Sequence, residues 1–368
     1  MGLRVLHLYR PRLPCTRAQS IQVLGSCHGL ASRGCEVTVL ADPPEHGPSL
    51  APEQILAWYG LDPVEGLDLR IAPPHGGTAR SLWFRTHAMD WMVASMGRRR
   101  HSSIVLARSK RYVNEVLALP VRPPVVLEAH EVDSLLTHGS ESKALHRLER
   151  RVLQSVQGLV TNCAGTRQML EEAHPGSLPV NTRVVHNATA AGRGRVGGPK
   201  RGGPRDERIV GYAGSLRSFK GLSTLLEAAR LLPEGWVLEL VGGSRQEREA
   251  LGRLPDRVRD LGEVPYTQVP EILARWRCAV ISLEDNLFGR SLCNPLKLWD
   301  YLAVGVPVVA PELPTIREVL DDRSSWYSPG DASSLAGAIC RCPRRGVQRL
   351  RTWEHRADEL IEVLNEAL

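Results

Sequence analysis

The feature that most constrains this chain is an alternation of short apolar runs with longer stretches of helical periodicity, played through twice and broken once by a glycine- and arginine-rich segment. Residues 3–8 (RVLHLY) predict a buried strand, 18–32 a helix and 36–41 (EVTVLA) a second strand, which together make a βαβ opening. Gly34 stands where a glycine would end that helix. The pattern continues with helices near 79–97, 110–119, 141–155 and 164–173, and strands at 103–107, 124–129, 157–161 and 183–187. Strands separated by helices of this length predict a parallel sheet covered on both faces. Residues 190–204, AAGRGRVGGPKRGGP, hold no large aliphatic side chain except Val196 and predict a linker or exposed loop. The alternation then restarts, with strands at 208–213, 237–241, 258–261, 278–283 and 306–310 and helices at 221–232, 245–253, 267–276, 295–304 and 331–340. The expected organisation is a Rossmann-like domain over 1–190, a linker over 191–205, and a second Rossmann-like domain over 206–345. A C-terminal helix within 346–368 is expected to pack back across the cleft between the domains.

Composition narrows the functional classes. At 42% hydrophobic and 24% charged residues, the chain is not a mostly disordered one. No apolar run approaches the ~18 residues of a spanning helix. The first apolar run, Val5 to Tyr9, contains His7 and meets Arg10-Pro11-Arg12, too early for a secretory leader. The eight cysteines are scattered and read as reduced, buried thiols, which points to the cytoplasm. Neither zinc-ligand spacing nor HExxH nor Asp-x-Asp occurs, so no metal and no cofactor are expected. The net charge of +7 rests on arginine, since only Lys110, Lys143, Lys200, Lys220 and Lys297 are lysines. Its excess lies in the first half and the linker, where it suits an anionic ligand or peripheral contact with the inner face of a membrane; a solvated basic face accounts for it equally well. The aromatic residues do not interleave with the basic segment, which argues against a nucleic-acid partner. Trp83, Phe84, Trp91, Met92 and Met96, followed by Arg98-Arg99-Arg100, read as a core-facing helix closing on a charged turn in preference to a membrane-surface helix.

Two segments carry chemistry. Ile209 to Leu222, IVGYAGSLRSFKGL, is a strand, a loop with Gly214 and a lysine, and a helix start, an arrangement that suits a diphosphate. It is not a Walker A loop, and neither half has GxGxxG after its first strand. A solvated loop lysine is the competing reading of Lys220. Cys293 to Pro311, CNPLKLWDYLAVGVPVVAP, predicts a helix capped by Asn294, opened by Pro295, ended by Gly305 and followed by a strand. Lys297 and Asp300 share a face of it, where the carboxylate could take a ribose diol; a surface ion pair is the competing reading.

These segments resemble the C-terminal domain of GT-B fold glycosyltransferases, in particular the large retaining family (glycosyltransferase family 4-like, group 1) that includes sucrose and glycogen synthase relatives. GYAGSLRSFKG with its LLEAA helix resembles the family's donor-phosphate loop, and NPLKLWDYLAVGVPVVAPELPTIREVL its signature helix, strand and following segment. ASRGCEVTVL and the VVHNAT turn extend the likeness over essentially the whole chain. The resemblance implies an α/β GT-B fold, two doubly wound Rossmann-like domains facing an interdomain cleft. It implies that Gly214, Ser215, Arg217, Lys220, Gly242, Val264, Asn294, Pro295, Leu296, Lys297 and Asp300 bind the donor, with Lys220 on the diphosphate and Asp300 on the ribose. Where the family often has an arginine after the loop glycine this chain has Ser215, with Arg217 as the candidate substitute. The first of the family's paired glutamates corresponds to Leu292 and the second to Asp300. Leu261-Gly262-Glu263-Val264 resembles the stretch facing the nucleobase.

In the first domain His130, after the strand VVLEA, and Arg108, after the preceding strand, are catalytic candidates with Lys220. Arg17, Ser20 and Glu131 are acceptor-side candidates, and Asp133 is a further acid. The expected activity is retaining, metal-independent transfer of a sugar from a nucleotide-sugar donor to a carbohydrate, lipid-linked or small-molecule acceptor. The rival readings are a donor-binding scaffold subunit without transfer and a sugar-nucleotide epimerase on the same fold.

Overall fold

The computed structural model describes residues 2–45, 47–74, 76–98, 102–191, 206–322 and 324–368. The chain forms two units, one of Met1–Ala188 with Thr352–Leu368 and the other of Thr189–Arg351. The expected linker lies outside the described residues apart from Ala191, which belongs to the second unit.

The first unit carries β1 (Arg4–Leu8), β2 (Glu36–Ala41), β3 (Leu67–Ile71), β4 (Ser103–Ala107), β5 (Val125–Ala129), β6 (Gly158–Thr161) and β7 (Thr182–Val184), in the order β3-β2-β1-β4-β5-β6-β7. Every described pairing is parallel; Val5, for instance, lies opposite both Val37 and Ile104. Strands β4, β5 and β6 are buried throughout, as two covered faces require. The helix Ala18–Ser32 ends as expected at Gly34, whose φ of 83° lets its N–H reach the Ala31 carbonyl at 2.8 Å while Cys35 N–H reaches Leu30 at 3.1 Å.

The second unit repeats the plan with β8 (Asp206–Ala213), β9 (Val237–Val241), β10 (Val258–Asp260), β11 (Trp276–Val280), β12 (Val308–Pro311) and β13 (Ser325–Tyr327), ordered β10-β9-β8-β11-β12-β13 and again parallel. Alternate residues enter two cores: Val210, Tyr212, Leu238 and Leu240 on one face, Ile209, Ala213, Trp276 and Ile281 on the other. Gly211 makes room for Trp276, because a Cβ there would fall 1.9 Å from its ring. In both sheets the order reverses beside the unit's first strand, between β1 and β4 and between β8 and β11, where open α/β sheets bind ligands at their carboxyl ends.

Several expectations need correction. The strands β3 and β13 and the helix Pro52–Trp58 have no counterpart in the expected elements, and the strand expected at 278–283 runs from Trp276 to Val280. Residues 346–368, expected as one C-terminal segment, divide: up to Arg351 they stay with the second unit, while the helix Trp353–Glu366 belongs to the first. Its Trp353 lies on Gly25 and Gly29 of the helix Ala18–Ser32, where a Cβ would come within 2.2 Å of the ring or of its carbonyl oxygen. The helix Gly77–Arg98 buries Phe84, Trp91 and Met92 and exposes Leu82, Met89 and Val93, so its main aromatic face is a core face. All eight cysteines are free, and all but Cys15 and Cys340 are buried.

Candidate functional site

In the second unit the predicted donor residues gather at the carboxyl ends of β8 and β9 and at the start of the helix Leu296–Val304. Gly214 ends β8 with φ 132° and sits so near Lys297 that a Cβ would lie 2.8 Å from Nζ. Gly242 ends β9 against it, since a Cβ there would lie 2.7 Å from the Gly214 carbonyl oxygen. The ammonium of Lys297 lies 3.6 Å from the centre of the Tyr212 ring, and that of Lys220 lies 4.0 Å from Phe288 and 5.2 Å from Phe219. Neither ammonium has a carboxylate partner among the described residues. Burial pushes both lysines below their usual pKa; the charge of Lys220 lowers Lys297 further, and Arg217 adds to the lowering of Lys220. Two desolvated cations at a helix N-terminus, beside glycines that expose backbone, form a site in want of an anion.

Asp300 lies one turn further along and is 7% exposed. Its Oδ1 accepts hydrogen bonds from Tyr266 at 2.6 Å and from the hydroxyl of Thr189, and burial raises its pKa to about 6 against the opposing effect of those bonds. Lys297 and Asp300 therefore do not form the surface pair: each has partners of its own.

Asn294 is not the cap. The helix is capped by Pro295 and begins at Leu296, and the Asn294 carboxamide oxygen accepts the indole N–H of Trp299 at 3.1 Å. Arg217 is paired with Glu247 at 3.0 Å and is 58% exposed. The carbonyl of Ser215 accepts from Tyr212 at 2.8 Å, and Val264 packs on the core beside the Trp276 face. Leu292 is buried in a π-helical turn, Phe288–Leu292, and brings no acid to its position.

The first unit assembles a second group at the ends of β4 and β5. Glu128, near the end of β5, is fully buried, and its Oε1 accepts from Arg356, from Gln22 at 2.6 Å and from His130 Nε2 at 2.8 Å. Gln22 in turn accepts from Arg108 at 2.9 Å, and the Arg108 guanidinium lies 5.4 Å from the Tyr9 ring. Burial by itself would raise the pKa of Glu128, but Arg356, then His130 and Arg108, bring it well below the usual carboxylate range. Burial, reinforced by Arg108, lowers His130 to about 4. The imidazole is thus neutral near pH 7; with Glu128 ionised, its Nε2 carries the proton and Nδ1 is left as acceptor.

Of the acceptor-side candidates, Ser20 is buried and accepts from the Cys15 thiol at 3.2 Å. Arg17 is exposed, 3.8 Å from Glu45. Glu131 is exposed, and its carbonyl is held by Lys110 at 2.8 Å. Asp133 opens the short helix Asp133–Leu136 and lies 3.3 Å from Lys110. Thr189, Tyr266, Glu128, Gln22 and Arg356 were not among the predicted site residues. Glu128 lay inside the strand VVLEA and Thr189 inside the VVHNAT turn. Among the described residues there is no cluster of three or more His, Cys, Asp or Glu that could hold a metal ion, and no helix long and apolar enough to cross a membrane.

Comparison with known proteins gives this geometry a family. Residues 18–188 match the model of the glycosyl transferase 4-like domain, and residues 207–344 that of glycosyl transferases group 1. The amylovoran biosynthesis glycosyltransferase AmsK of Erwinia amylovora is 31% identical over 144 residues, which cover 36% of this chain and 35% of that protein. The phosphatidyl-myo-inositol mannosyltransferase of Mycobacterium leprae (strain TN) is 32% identical over 139 residues, 36% of either chain. The matched region thus spans about a third of the length of these curated relatives. The structure of Anabaena Alr3699/HepE in complex with UDP and glucose aligns over 100% of this chain and 97% of its own, with a TM-score of 0.63 and 15% identity. With one family model on each Rossmann-like unit and a fold shared over its full length, the chain belongs to the group 1, family 4-like glycosyltransferases of GT-B fold.

Proposed function

We propose that the protein transfers a glycosyl group from a nucleotide-sugar to an acceptor hydroxyl, with retention and without a divalent metal or other cofactor. The observation that carries this reading is the pair of half-buried ammoniums of Lys220 and Lys297, the latter held beside Gly214, with no carboxylate to neutralise either among the described residues. A donor diphosphate supplies the missing charge, and charge that builds on it as it departs is stabilised by cations already in position. Asp300 takes the ribose hydroxyls, and backbone around Leu261 to Val264 faces the base.

In the reaction the bond from the anomeric carbon to the diphosphate oxygen breaks, and a bond to the acceptor oxygen forms on the same face. The acceptor proton passes to the departing diphosphate oxygen, so no carboxylate nucleophile is required. His130, neutral and fixed by Glu128, offers a hydrogen bond and no charge, which suits contact with a sugar hydroxyl better than proton transfer. Arg108 stands with it as a catalytic candidate, and Arg17, Ser20 and Glu131 stay on the acceptor side of the proposal. The acceptor is a carbohydrate, a lipid-linked sugar or a small molecule. A cytoplasmic site of action, with peripheral contact at the inner face of the membrane through the arginine-rich N-terminal half, belongs to the same reading.

The test is a thermal-shift screen against UDP, GDP and ADP and their sugars, with magnesium and with EDTA, followed by NMR of the anomeric configuration of the product. A shift that persists in EDTA and is lost in Lys220→Ala supports the donor site, and an α-linked product from an α-linked donor supports retention. A shift that requires magnesium sinks the metal-independent mechanism. The buried Leu292, in place of an acid, favours one second reading: a subunit that binds the donor without transferring it. Donor binding without turnover across an acceptor panel would support it.

A further inference from the structure

Thr189 and Tyr266 are assigned no role by the family resemblance, yet both spend their hydroxyl protons on one atom of Asp300. Tyr266 donates to Oδ1 at 2.6 Å, and Thr189 donates to the same oxygen. The direction of the threonine bond is set by its surroundings: Thr189 Oγ1 accepts the Ala191 N–H at 2.8 Å, so its own proton is free to be given to the carboxylate. Thr189 is itself fixed by its N–H on the Arg351 carbonyl at 3.0 Å. Both bonds fall on Oδ1, which leaves Oδ2 without a protein partner among the described residues.

A carboxylate oxygen accepts hydrogen bonds and gives none, so its ligand must donate. The neighbouring lysines require the same ligand to be anionic. A molecule that offers both, with vicinal hydroxyls a short distance from phosphate, is a ribonucleoside diphosphate. We propose that Thr189 and Tyr266 are positioning residues for the donor, pinning Oδ1 of Asp300 so that Oδ2 alone receives the ribose diol. A short carboxylate held by two donors has one orientation to offer, and a ligand pays no entropy to select it. The inference rests on the donor-site reading above, and it adds a requirement: the contribution of the ribose hydroxyls to binding depends on both residues.

The experiment compares each of UDP, GDP and ADP with its 2′,3′-dideoxy counterpart by calorimetry, in wild type, Thr189→Val, Thr189→Ser, Tyr266→Phe and Asp300→Ala. Wild type is expected to prefer the ribonucleotide by about tenfold or more, the scale of hydrogen bonds to a charged group. Thr189→Val and Tyr266→Phe should each cut that preference by at least about threefold, with dideoxynucleotide affinity unchanged, and Thr189→Ser should restore it. In the Asp300→Ala background neither substitution should matter further. In turnover, donor KM should rise while kcat stays within about twofold. The proposal is overturned if Asp300→Ala abolishes the preference and the two hydroxyl variants leave it intact, or if they weaken both nucleotides equally, as a merely structural role would. A wild type that binds ribo and dideoxy forms alike removes the ribose role of Asp300 and this inference with it. Failure to bind any of the three nucleotides overturns the donor-site reading itself.

Discussion

Arg356 and Glu128 lie 228 positions apart in the chain and meet as a fully buried ion pair in the first unit. The guanidinium also donates to Ser26 at 2.9 Å and to the carbonyls of Val185 and His186 at 2.6 Å each, so one side chain holds a helix, a strand end and the segment after β7. Glu128→Gln or Arg356→Met strips a buried charge of its partner and is expected to cost about 3–5 kcal/mol in chemical denaturation. The double variant Glu128→Leu/Arg356→Met should lose less than the sum of the two. Strict additivity would show that the pair is not coupled. Because the native pKa of Glu128 lies below its unfolded value, its contribution is complete above the unfolded carboxylate pKa and is lost as pH falls through the native one. Glu128→Gln should erase that part of the acid-unfolding curve.

The lysine pair makes the proposed donor site costly to hold without an anion. Lys297→Met is expected to raise the melting temperature of the free protein while shrinking the shift produced by a nucleoside diphosphate. Lys220→Ala should lower transfer by about a hundredfold or more, the scale of losing one preorganised charge on a leaving group. Both lysines titrate below the unfolded value, so the charged form is penalised in the native state. That penalty is full below their native values and shrinks as pH rises through them toward the unfolded value. A Lys297→Met protein that melts lower than wild type at pH 7 would contradict this account.

Asp300 predicts the pH dependence of donor binding. With its pKa raised to about 6, the carboxylate is lost below that value, and nucleotide affinity should fall there by up to about tenfold per pH unit. Burial penalises the charged form, so the native state is disfavoured as pH rises from the unfolded value of 3.8 to about 6, and the penalty is constant above. Asp300→Asn should therefore melt above wild type at pH 8, match it at low pH, and bind nucleotide weakly with no slope near pH 6. Calorimetric titrations between pH 5 and pH 8 check both signs.

Gly214→Ala tests the close approach directly. At φ 132° an L side chain is strained, and its Cβ would crowd Lys297 Nζ and Cε at 2.8 and 2.9 Å. The lysine must swing off the Tyr212 ring, so nucleotide affinity is expected to drop by about tenfold or more, with a stability loss of ~1–3 kcal/mol. Normal affinity in a folded Gly214→Ala protein would show that the lysine's seat is not needed.

What could be read from the sequence follows from how local each signal is. β4, β5 and β9 were legible because a buried parallel strand is a mainly apolar run, interrupted here only by Glu128 in β5 and Glu239 in β9, and Gly214 and Lys220 because a strand, a loop and a helix start lie within fourteen consecutive residues. β3, LDLRI, alternates apolar and charged residues as a half-exposed edge strand does, but it is only five residues long and is overshadowed by the longer apolar runs, and β13 is three residues long at the other sheet's edge. The partners of Asp300 and Glu128 were invisible for another reason. Thr189, Tyr266 and Arg356 are ordinary residues in their own neighbourhoods, and only the folded chain brings them to a carboxylate 111, 34 and 228 positions away. Gly25 and Gly29 were visible as part of a helix, but their spacing does not say that an indole from residue 353 will lie on them.

The division of the first unit between the two ends of the chain also sets an order of events in the cell. A ribosome releases residues 1–188 long before Trp353 and Arg356 exist, so the nascent unit has a bare glycine face on its first helix and an unneutralised carboxylate under β5. The second unit, contiguous from Thr189 to Arg351, can close upon emergence. The unit begun before the other is therefore completed after it, and during translation the Glu128 site must wait, partly open, for the helix Trp353–Glu366.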